Sequence, residues 1–286
     1  MLPVRQNLRI FAAKTAHMDI YDIIARRSSV RDYADTPLSA AQVSALEEAC
    51  AATSAPFGGR VAVRLAHFAE GCARRPGTYG VIHGARSFLI LSTDGSPAAR
   101  LSAGYEFERI LLEATRLGLG TCWMAATFRG SVFAEAACLS EGMEVVAVSP
   151  VGVPSGKRHL LERITRSVVR ENTRLDFDRM FFSAGFLEPV PPNSAFFRPL
   201  EAVRRAPSAM NAQPWRALVD TDGARVHFYS MRRTRSRHVA LDMGIALCHF
   251  QQACRAEGIP GQYESLTNAP IHEDMDYLTS YLVKKS

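Results

Sequence analysis

The sequence has no apolar run of the roughly 18 to 20 residues that a membrane-spanning helix needs. Its six cysteines form no C-x-x-C pair and have no zinc-type spacing with histidine. No basic run is interleaved with aromatic residues, although the net charge is +6. We therefore expect no membrane partner, no metal site and no nucleic-acid partner. Cysteines scattered in this way suit a reducing cytoplasm, where thiols remain free. We interpret them as small core residues.

Two glycine-rich segments have part of the pattern of a nucleotide-binding loop, and each is incomplete. The segment from Gly152 to Arg158 is one residue short of a phosphate loop and lacks the Ser or Thr that would hold Mg²⁺. The pair Gly118 and Gly120 is not followed by the third glycine of a dinucleotide-binding turn. These departures argue against a P-loop NTPase and against a Rossmann dehydrogenase.

Length and composition are those of a globular protein with one large domain or two ordinary ones. The 286 residues are 47% hydrophobic and 22% charged. Residues 1–17 contain three basic residues and no acid, and Met18 stands just before the first helical pattern. We expect residues 1–17 to be a loosely ordered, dispensable extension, with Met18 as the true start.

Hydrophobic periodicity predicts a mixture of helices and strands. The predicted strands are 61–68, 87–93, 145–153, 215–219 and 225–229, the last two joined by a hairpin at Asp222-Gly223. The predicted helices run from Asp19 toward Arg27, from Ser39 past Ala49, from Phe107 to Gly118, from Leu200 to Ala206 and from Leu241 to Glu257. Ser39 is a candidate N-cap and Gly118 a candidate C-cap.

The pattern of elements starts again in the second half of the chain. Residues 46–55 match residues 200–209 at five of ten positions without gaps. Residues 104–118 and 244–258 match in their terminal glycines, and both are predicted helices. Chance alignment of Ala-rich helices is the alternative; the shared order favours a duplicated α+β unit. The predicted units are 18–187 and 188–286, with Pro189, Pro191, Pro192 and Asn193 as the linker.

The segment Arg26-Arg27-Ser28-Ser29-Val30-Arg31 concentrates guanidiniums and hydroxyls at a helix end. Arginine forks and hydroxyls suit a phosphate, and an arginine beside a flavin ring can stabilise negative charge. The alternative is a solvated basic helix end, which the helix dipole favours in any case.

The segment from Arg205 to Trp215 has a different character. Pro207 ends a helix, Ser208 and Asn211 offer short polar groups on a loop, and Trp215 begins a strand. Small residues allow a flat ring to approach the backbone, and Asn and Gln can bond its polar edge. The alternative is an ordinary loop between a helix and a strand.

Three motifs together, R-R-S-x-x-R, A-P-S-A-x-N-x-Q-P-W and L-G-L-G-T-C-W, resemble the nitroreductase family over residues 18 to about 260. That family consists of FMN enzymes that are normally homodimers, with the first two motifs close together in a chain of half this length. Here Arg27 and Asn211 are 184 positions apart (211 − 27). This arrangement resembles the family's single-chain branch, in which two halves form a pseudo-dimer. The resemblance implies an α+β fold with a mixed, mostly antiparallel sheet and flanking helices in each unit.

The resemblance also implies which residues contact the cofactor. Arg27, Ser28, Ser29 and Arg31 correspond to phosphate and ring contacts. Pro207, Ser208, Ala209 and Asn211 correspond to the loop that a partner subunit usually supplies. Trp123, Met124 and Ala125 belong to the segment that faces the reactive edge of the flavin, where the family often has glycine at Ala125 and Ala126. A further basic contact fits Arg170 or, as we predict, Arg174, and Tyr79 is expected to line the same site.

The implied function is FMN-dependent electron transfer from NAD(P)H to a nitroaromatic, a quinone or a similar electron-poor small molecule, by a ping-pong hydride mechanism. Because the flavin performs the chemistry, no residue is predicted to be catalytic. One complete set of motifs implies one FMN per chain and a monomer that acts as a pseudo-dimer. The alternatives are a flavin-binding sensor or carrier without turnover, and a degenerate homologue with an empty site.

Overall fold

A computed structural model describes residues 18–68, 77–155, 173–234 and 236–284. The chain divides into two compact units, Met1–Ile164 and Thr165–Ser286. The predicted extension 1–17 lies outside the described residues. The sequence places the start of the second repeat at residue 188, whereas the second compact unit begins at Thr165; the position of the repeat boundary stays a prediction.

The first unit contains a four-stranded antiparallel sheet with the strand order β1-β2-β4-β3. Its strands are β1 (Val61–His67), β2 (Ser87–Thr93), β3 (Gly120–Thr121) and β4 (Glu144–Gly152). Its helices are α1 (Ile20–Arg26), α2 (Ala40–Ala51), α3 (Pro97–Arg116) and α4 (Gly130–Ala136). Both α2 and α3 pack against β1, and α3 also packs against β2. Strand β2 is buried along its whole length, as its uninterrupted apolar centre predicts.

The second unit contains a six-stranded sheet with the strand order β6-β5-β7-β8-β10-β9. Its strands are β5 (Phe181–Ser183), β6 (Glu188–Pro189), β7 (Trp215–Val219), β8 (Arg225–Met231), β9 (Gly261–Glu264) and β10 (Met275–Val283). Its helices are α5 (Phe197–Arg204) and α6 (Val239–Ala256), which pack against each other. Strand β5 pairs with β7 in parallel, and the other neighbours in this sheet are antiparallel.

The two units share one order of elements. In each, a helix precedes two antiparallel strands, a long helix follows, and two more strands complete the order first-second-fourth-third. The long helices also end alike. Gly118 and Gly258 have φ values of 76° and 69°, and the amide after each donates to the carbonyl five residues earlier, at 2.9 Å and 2.8 Å. The predicted α+β class with mixed, mostly antiparallel sheets is confirmed.

Each unit has an aromatic core of its own. In the first unit the rings of Phe88 and Phe133 meet edge to face at 5.2 Å. In the second unit Phe250 of α6 contacts Phe228 and Tyr281 on the sheet, with ring centroids 4.9 Å and 5.2 Å apart. All five side chains are buried, and each such burial contributes about 1.5–3 kcal/mol.

Most predicted elements appear within one to three residues of their predicted bounds. Ser39 is the predicted N-cap of α2, and it forms a capping box with Gln42. Pro189, the first residue of the predicted linker, lies in β6 and pairs with Phe182. None of the described helices combines the length and the apolar character needed to cross a membrane.

Candidate functional site

Arg27 is the best-defined member of the basic motif. It caps the C-terminus of α1, and its amide donates to Ile23 O at 2.9 Å. Its side chain is only 8% exposed, and Nε lies 3.8 Å from Oε1 of Glu108, which is fully buried on α3. That distance exceeds a charge-assisted hydrogen bond, so the pair interacts through its charges without close contact. The helix end therefore holds a largely buried guanidinium beside a buried carboxylate.

The same carboxylate holds the tryptophan of the L-G-L-G-T-C-W motif. Trp123 donates from Nε1 to Oε2 of Glu108 at 2.6 Å. Its ring packs edge to face against Phe107 at 4.8 Å. Glu108 thus links Arg27 and Trp123, which belong to two motifs that are distant in sequence. Glu108 was not predicted from the sequence, where it stands as an acid among the apolar residues of the predicted α3 helix.

Backbone pairing brings these motifs together as well. Ser29 and Thr121 form a parallel bridge, and Val30 N donates to Thr121 O at 2.8 Å. A Cβ on Gly120 would lie 2.8 Å from the Val30 side chain, which is closer than real Cβ contacts. Glycine at this position therefore allows the two segments to approach.

The rest of the Trp123 segment has mixed exposure. Met124 is 3% exposed, and its amide and carbonyl both pair with Val148. Its side chain lies in a core cluster with Phe133. Trp123 and Ala125 are half-buried. The roles of these three residues in flavin binding stay predictions.

Arg31 and Tyr79 lie on segments that are joined by backbone pairing. His83 N donates to Arg31 O at 2.8 Å, and Tyr33 N donates to His83 O at 3.0 Å. Four residues before His83, Tyr79 is 69% exposed and has a φ of 49°. Ser28, at the start of the basic motif, is also exposed. The first unit therefore presents a hydroxyl and an accessible ring on segments that flank the Arg31 backbone.

The Ser208–Gln213 loop lies in the second unit, between α5 and β7. Gln213 N donates to Ser208 Oγ at 2.9 Å, which closes the loop. Met210, Asn211 and Gln213 have φ values of 52°, 56° and 47°. This left-handed conformation costs a residue with a side chain about 1–2 kcal/mol. Three residues of this loop therefore keep a side chain in spite of backbone strain.

Arg174 is brought to this loop. It donates to the Asn211 side-chain carbonyl and, at 3.2 Å, to Arg205 O. Asn211 Nδ2 donates to Thr173 O at 2.7 Å, and Gln213 Nε2 donates to the same carbonyl at 3.2 Å. The segment at residues 173–174 therefore anchors Asn211 from outside the loop. Arg170, the other candidate for this contact, lies outside the described residues.

Asp242 on α6 supports the loop from another direction. Its Oδ1 accepts from Ala209 N at 2.9 Å, and the residue is 3% exposed. Burial raises the pKa of Asp242 to about 7, and the bond from Ala209 opposes that shift. Asp242 was not predicted from the sequence, because an acid at the start of a helix is ordinarily solvated and interacts favourably with the helix dipole.

The predicted contacts therefore form two groups. The first unit holds the basic motif, Tyr79 and the Trp123 segment, linked through Glu108 and the Thr121 backbone. The second unit holds Arg174 and the loop from Pro207 to Asn211.

Comparisons with known proteins agree with the fold. A solved structure from Thermotoga maritima MSB8, titled a "putative nitroreductase", covers 93% of this chain and 94% of its own, with 19% identity and a TM-score of 0.61. A nitroreductase with bound FMN from Bacteroides fragilis NCTC 9343 covers 50% of this chain and 92% of its own, with 17% identity and a TM-score of 0.40. No curated protein matches the sequence. The family model described as "Putative TM nitroreductase" matches residues 19–254. The chain belongs to that nitroreductase family.

Proposed function

We propose that this protein is an FMN-dependent oxidoreductase that transfers electrons from NAD(P)H to a nitroaromatic, a quinone or a similar electron-poor small molecule. Membership of a nitroreductase family supports the assignment of an oxidoreductase activity. The observation that carries the proposal to this chain is the Arg27–Glu108–Trp123 group, in which one buried carboxylate holds residues of two family motifs.

The described residues fit FMN by the chemistry of their donor groups. Arg27, Ser28, Ser29 and Arg31 offer guanidiniums and hydroxyls that suit a phosphate. In the second unit, Pro207, Ala209 and the Asn211 amide provide small groups and one polar side chain, as a flat ring requires, and Arg174 adds a positive charge. When bound, FMN would supply two-electron transfer between the nicotinamide donor and the acceptor.

The protein's own groups bind and orient in this proposal. Glu108 orients the Trp123 indole by a hydrogen bond and places a negative charge beside Arg27, and the left-handed loop holds Asn211 in one position. No side chain has to act as nucleophile or general acid, so we name no catalytic residue. The positive charge of Arg27 would stabilise an anion bound beside it.

The first experiment is a visible spectrum of the full chain as purified, then after NADPH or NADH, then after an acceptor such as a quinone. We expect flavin absorbance that bleaches with the donor and returns with the acceptor. Initial rates at several concentrations of both substrates should give the parallel lines of a ping-pong mechanism. Bound flavin without turnover would favour the sensor or carrier, and absence of flavin after incubation with FMN would favour the degenerate homologue.

A second experiment tests the residues. Loss of a charge-assisted bond costs roughly 1.5–3 kcal/mol, so Arg27→Ala should weaken FMN binding about 10- to 150-fold. Arg64→Ala, which removes an exposed arginine of β1, should have no effect. Because Arg27→Ala leaves Glu108 buried beside no cation, Arg27→Met with Glu108→Gln provides a variant without that unpaired charge. Equal FMN affinity in all three variants and the wild type would exclude Arg27 from the site.

The proposed stoichiometry is one FMN per monomeric chain. Flavin released by heat should equal protein in molar amount, and a ratio near two would contradict this proposal. Substitution of Arg27 and substitution of Asn211 should each weaken FMN binding. Light scattering of the 31.4 kDa chain tests the monomer.

A further inference from the structure

Asp242 is a buried acid that none of the three family motifs includes. It lies in the first turn of α6, it is 3% exposed, and Oδ1 accepts from Ala209 N at 2.9 Å. Among the described residues, Oδ2 has no hydrogen-bond partner. A buried carboxylate with one hydrogen bond is unfavourable for folding, so its presence here requires a compensating reason.

The hydrogen bond from Ala209 N to Asp242 lies next to the residues of the loop that have left-handed backbone conformations. Ala209 directly precedes Met210 and Asn211, which both have left-handed φ values. On the far side, Gln213 N donates to Ser208 Oγ, and Leu175 N donates to Gln213 Oε1 at 3.0 Å. The loop is therefore held at both ends, and Asp242 is its anchor on α6.

The first unit has a comparable contact between its long helix and its loop, made by a different residue. Gly118 and Gly258 are 140 positions apart, and so are Ser102 and Asp242 (242 − 102). Ser102 Oγ accepts from Phe57 N at 3.0 Å and donates to Gly58 O at 3.0 Å. A neutral hydroxyl is thus enough to fasten the loop that contains two glycines. The loop with three strained side chains has a carboxyl group, which in its ionised form is a stronger acceptor than a hydroxyl.

We propose that Asp242 is the positioning residue of the Ser208–Gln213 loop, which it holds in the conformation that presents Asn211 to FMN. The identity of the ligand, FMN, rests on the proposed function. The contact between Asp242 and the loop does not depend on the ligand. Asp242 acts through Ala209 and does not itself contact the flavin.

The test compares full-length Asp242→Leu, Asp242→Asn and Asp242→Ser. Leu removes the acceptor, whereas Asn and Ser retain one. We expect Asp242→Leu to weaken FMN affinity at least about 10-fold and to speed hydrogen exchange of peptides that cover the loop. We expect Asp242→Asn and Asp242→Ser to restore both to within about threefold of the wild type. If Asp242→Leu does not fold, the smaller Asp242→Ala serves as the variant without an acceptor.

Ser102→Ala is the matched control. It should speed exchange of residues 54–59 without changing FMN affinity. Two results would overturn the proposal: unchanged loop exchange in the variant without an acceptor, or loss in Asp242→Asn equal to the loss in Asp242→Leu. If the wild type binds no FMN, the proposed function fails, and the exchange measurements still decide whether Asp242 holds the loop.

Discussion

The two units solve one structural problem, the loop between a helix and the next strand, in different ways. In the first unit, Gly58 and Gly59 have φ values of 96° and 76°. In the second unit, Met210 and Asn211 take left-handed values with side chains in place. A turn that needed only to reverse the chain would favour glycine, because a side chain there costs about 1–2 kcal/mol. The second loop keeps its side chains at that cost, which supports the role that we propose for Asn211.

The side chains that hold the two loops also differ between the units. Ser102 satisfies two backbone groups of the first loop and is itself neutral. Asp242 satisfies one backbone group of the second loop with a buried, ionisable group. The first loop is therefore held by a neutral group and the second by an ionisable one. Each unit also contains one tryptophan, Trp123 or Trp215, so the two can be measured separately.

The largest expected difference is the pH dependence that Asp242 gives to the second unit. The pKa of Asp242 is raised by burial to about 7 from 3.8. Because the folded-state pKa exceeds the unfolded one, the contribution of Asp242 to stability is highest below about pH 4 and falls as the pH rises to 7. Relative to Asp242→Asn, the loss should reach roughly 4 kcal/mol at most, at 1.36 kcal/mol per pKa unit.

The protein with Asp242 (the reference) and the Asp242→Asn variant would both carry Trp123→Phe. Trp215 fluorescence during denaturant unfolding then reports on the second unit. The difference between Asp242→Asn and the reference should grow from pH 4 to 7 and stay level above pH 7. A difference that is constant with pH would show that the carboxyl of Asp242 does not titrate in this range.

The next largest effect tests the glycine solution of the first unit. In Gly59→Ala the new Cβ would lie 2.5 Å from Ala99 Cβ, at a φ of 76°. Crowding and the left-handed conformation together should lower the free energy of unfolding by about 3 kcal/mol. The measurement uses Trp123 fluorescence in a Trp215→Phe background.

Gly223→Ala is the control for that substitution. Its φ is 66°, and a Cβ there would meet nothing within 4 Å. It should lower the stability of the second unit, followed by Trp215, by only about 1 kcal/mol. Similar losses at the two glycines would mean that conformation alone matters and that the approach of Ala99 does not.

A third prediction exchanges residues at matched positions. Phe57 and Asn211 are 154 positions apart, as are Ser54 and Ser208 (208 − 54). Asn211→Phe removes the side chain that bonds Thr173 O and Arg174. It should weaken FMN affinity about 10-fold, the equivalent of one hydrogen bond. Phe57→Asn should leave FMN affinity unchanged, and equal losses in the two variants would contradict the assignment of separate roles to the loops.

Local signals in the sequence predicted much of this fold. Strands β2 and β7 have their predicted bounds, because an apolar segment with turn residues on both sides needs no knowledge of its partners. Strands β5 and β6 have three and two residues, and their pairing with distant segments alone defines them. Strand β10 escaped prediction because Asp276, Thr279 and Ser280 interrupt its apolar pattern and a bulge follows Tyr277.

The candidate site divides in the same way. The motif residues could be named from the sequence because their types and spacing resemble a family. Glu108 and Asp242 could not, since a buried acid and a solvated acid are the same letter until the partner is known. Trp123 and Ala209, which supply those partners, are 15 and 33 positions away.

The smallest expected effect concerns Met210, which is 73% exposed at a φ of 52°. Asparagine enters the left-handed region several times more readily than an unbranched apolar residue. Met210→Asn should therefore raise the free energy of unfolding of the second unit by up to about 1 kcal/mol. Leu187→Asn is the matched control, because Leu187 is 86% exposed at an ordinary φ of −82°. It should give no gain in Trp215-detected unfolding, and a gain shared by both variants would trace the effect to exposed apolar surface and not to backbone strain.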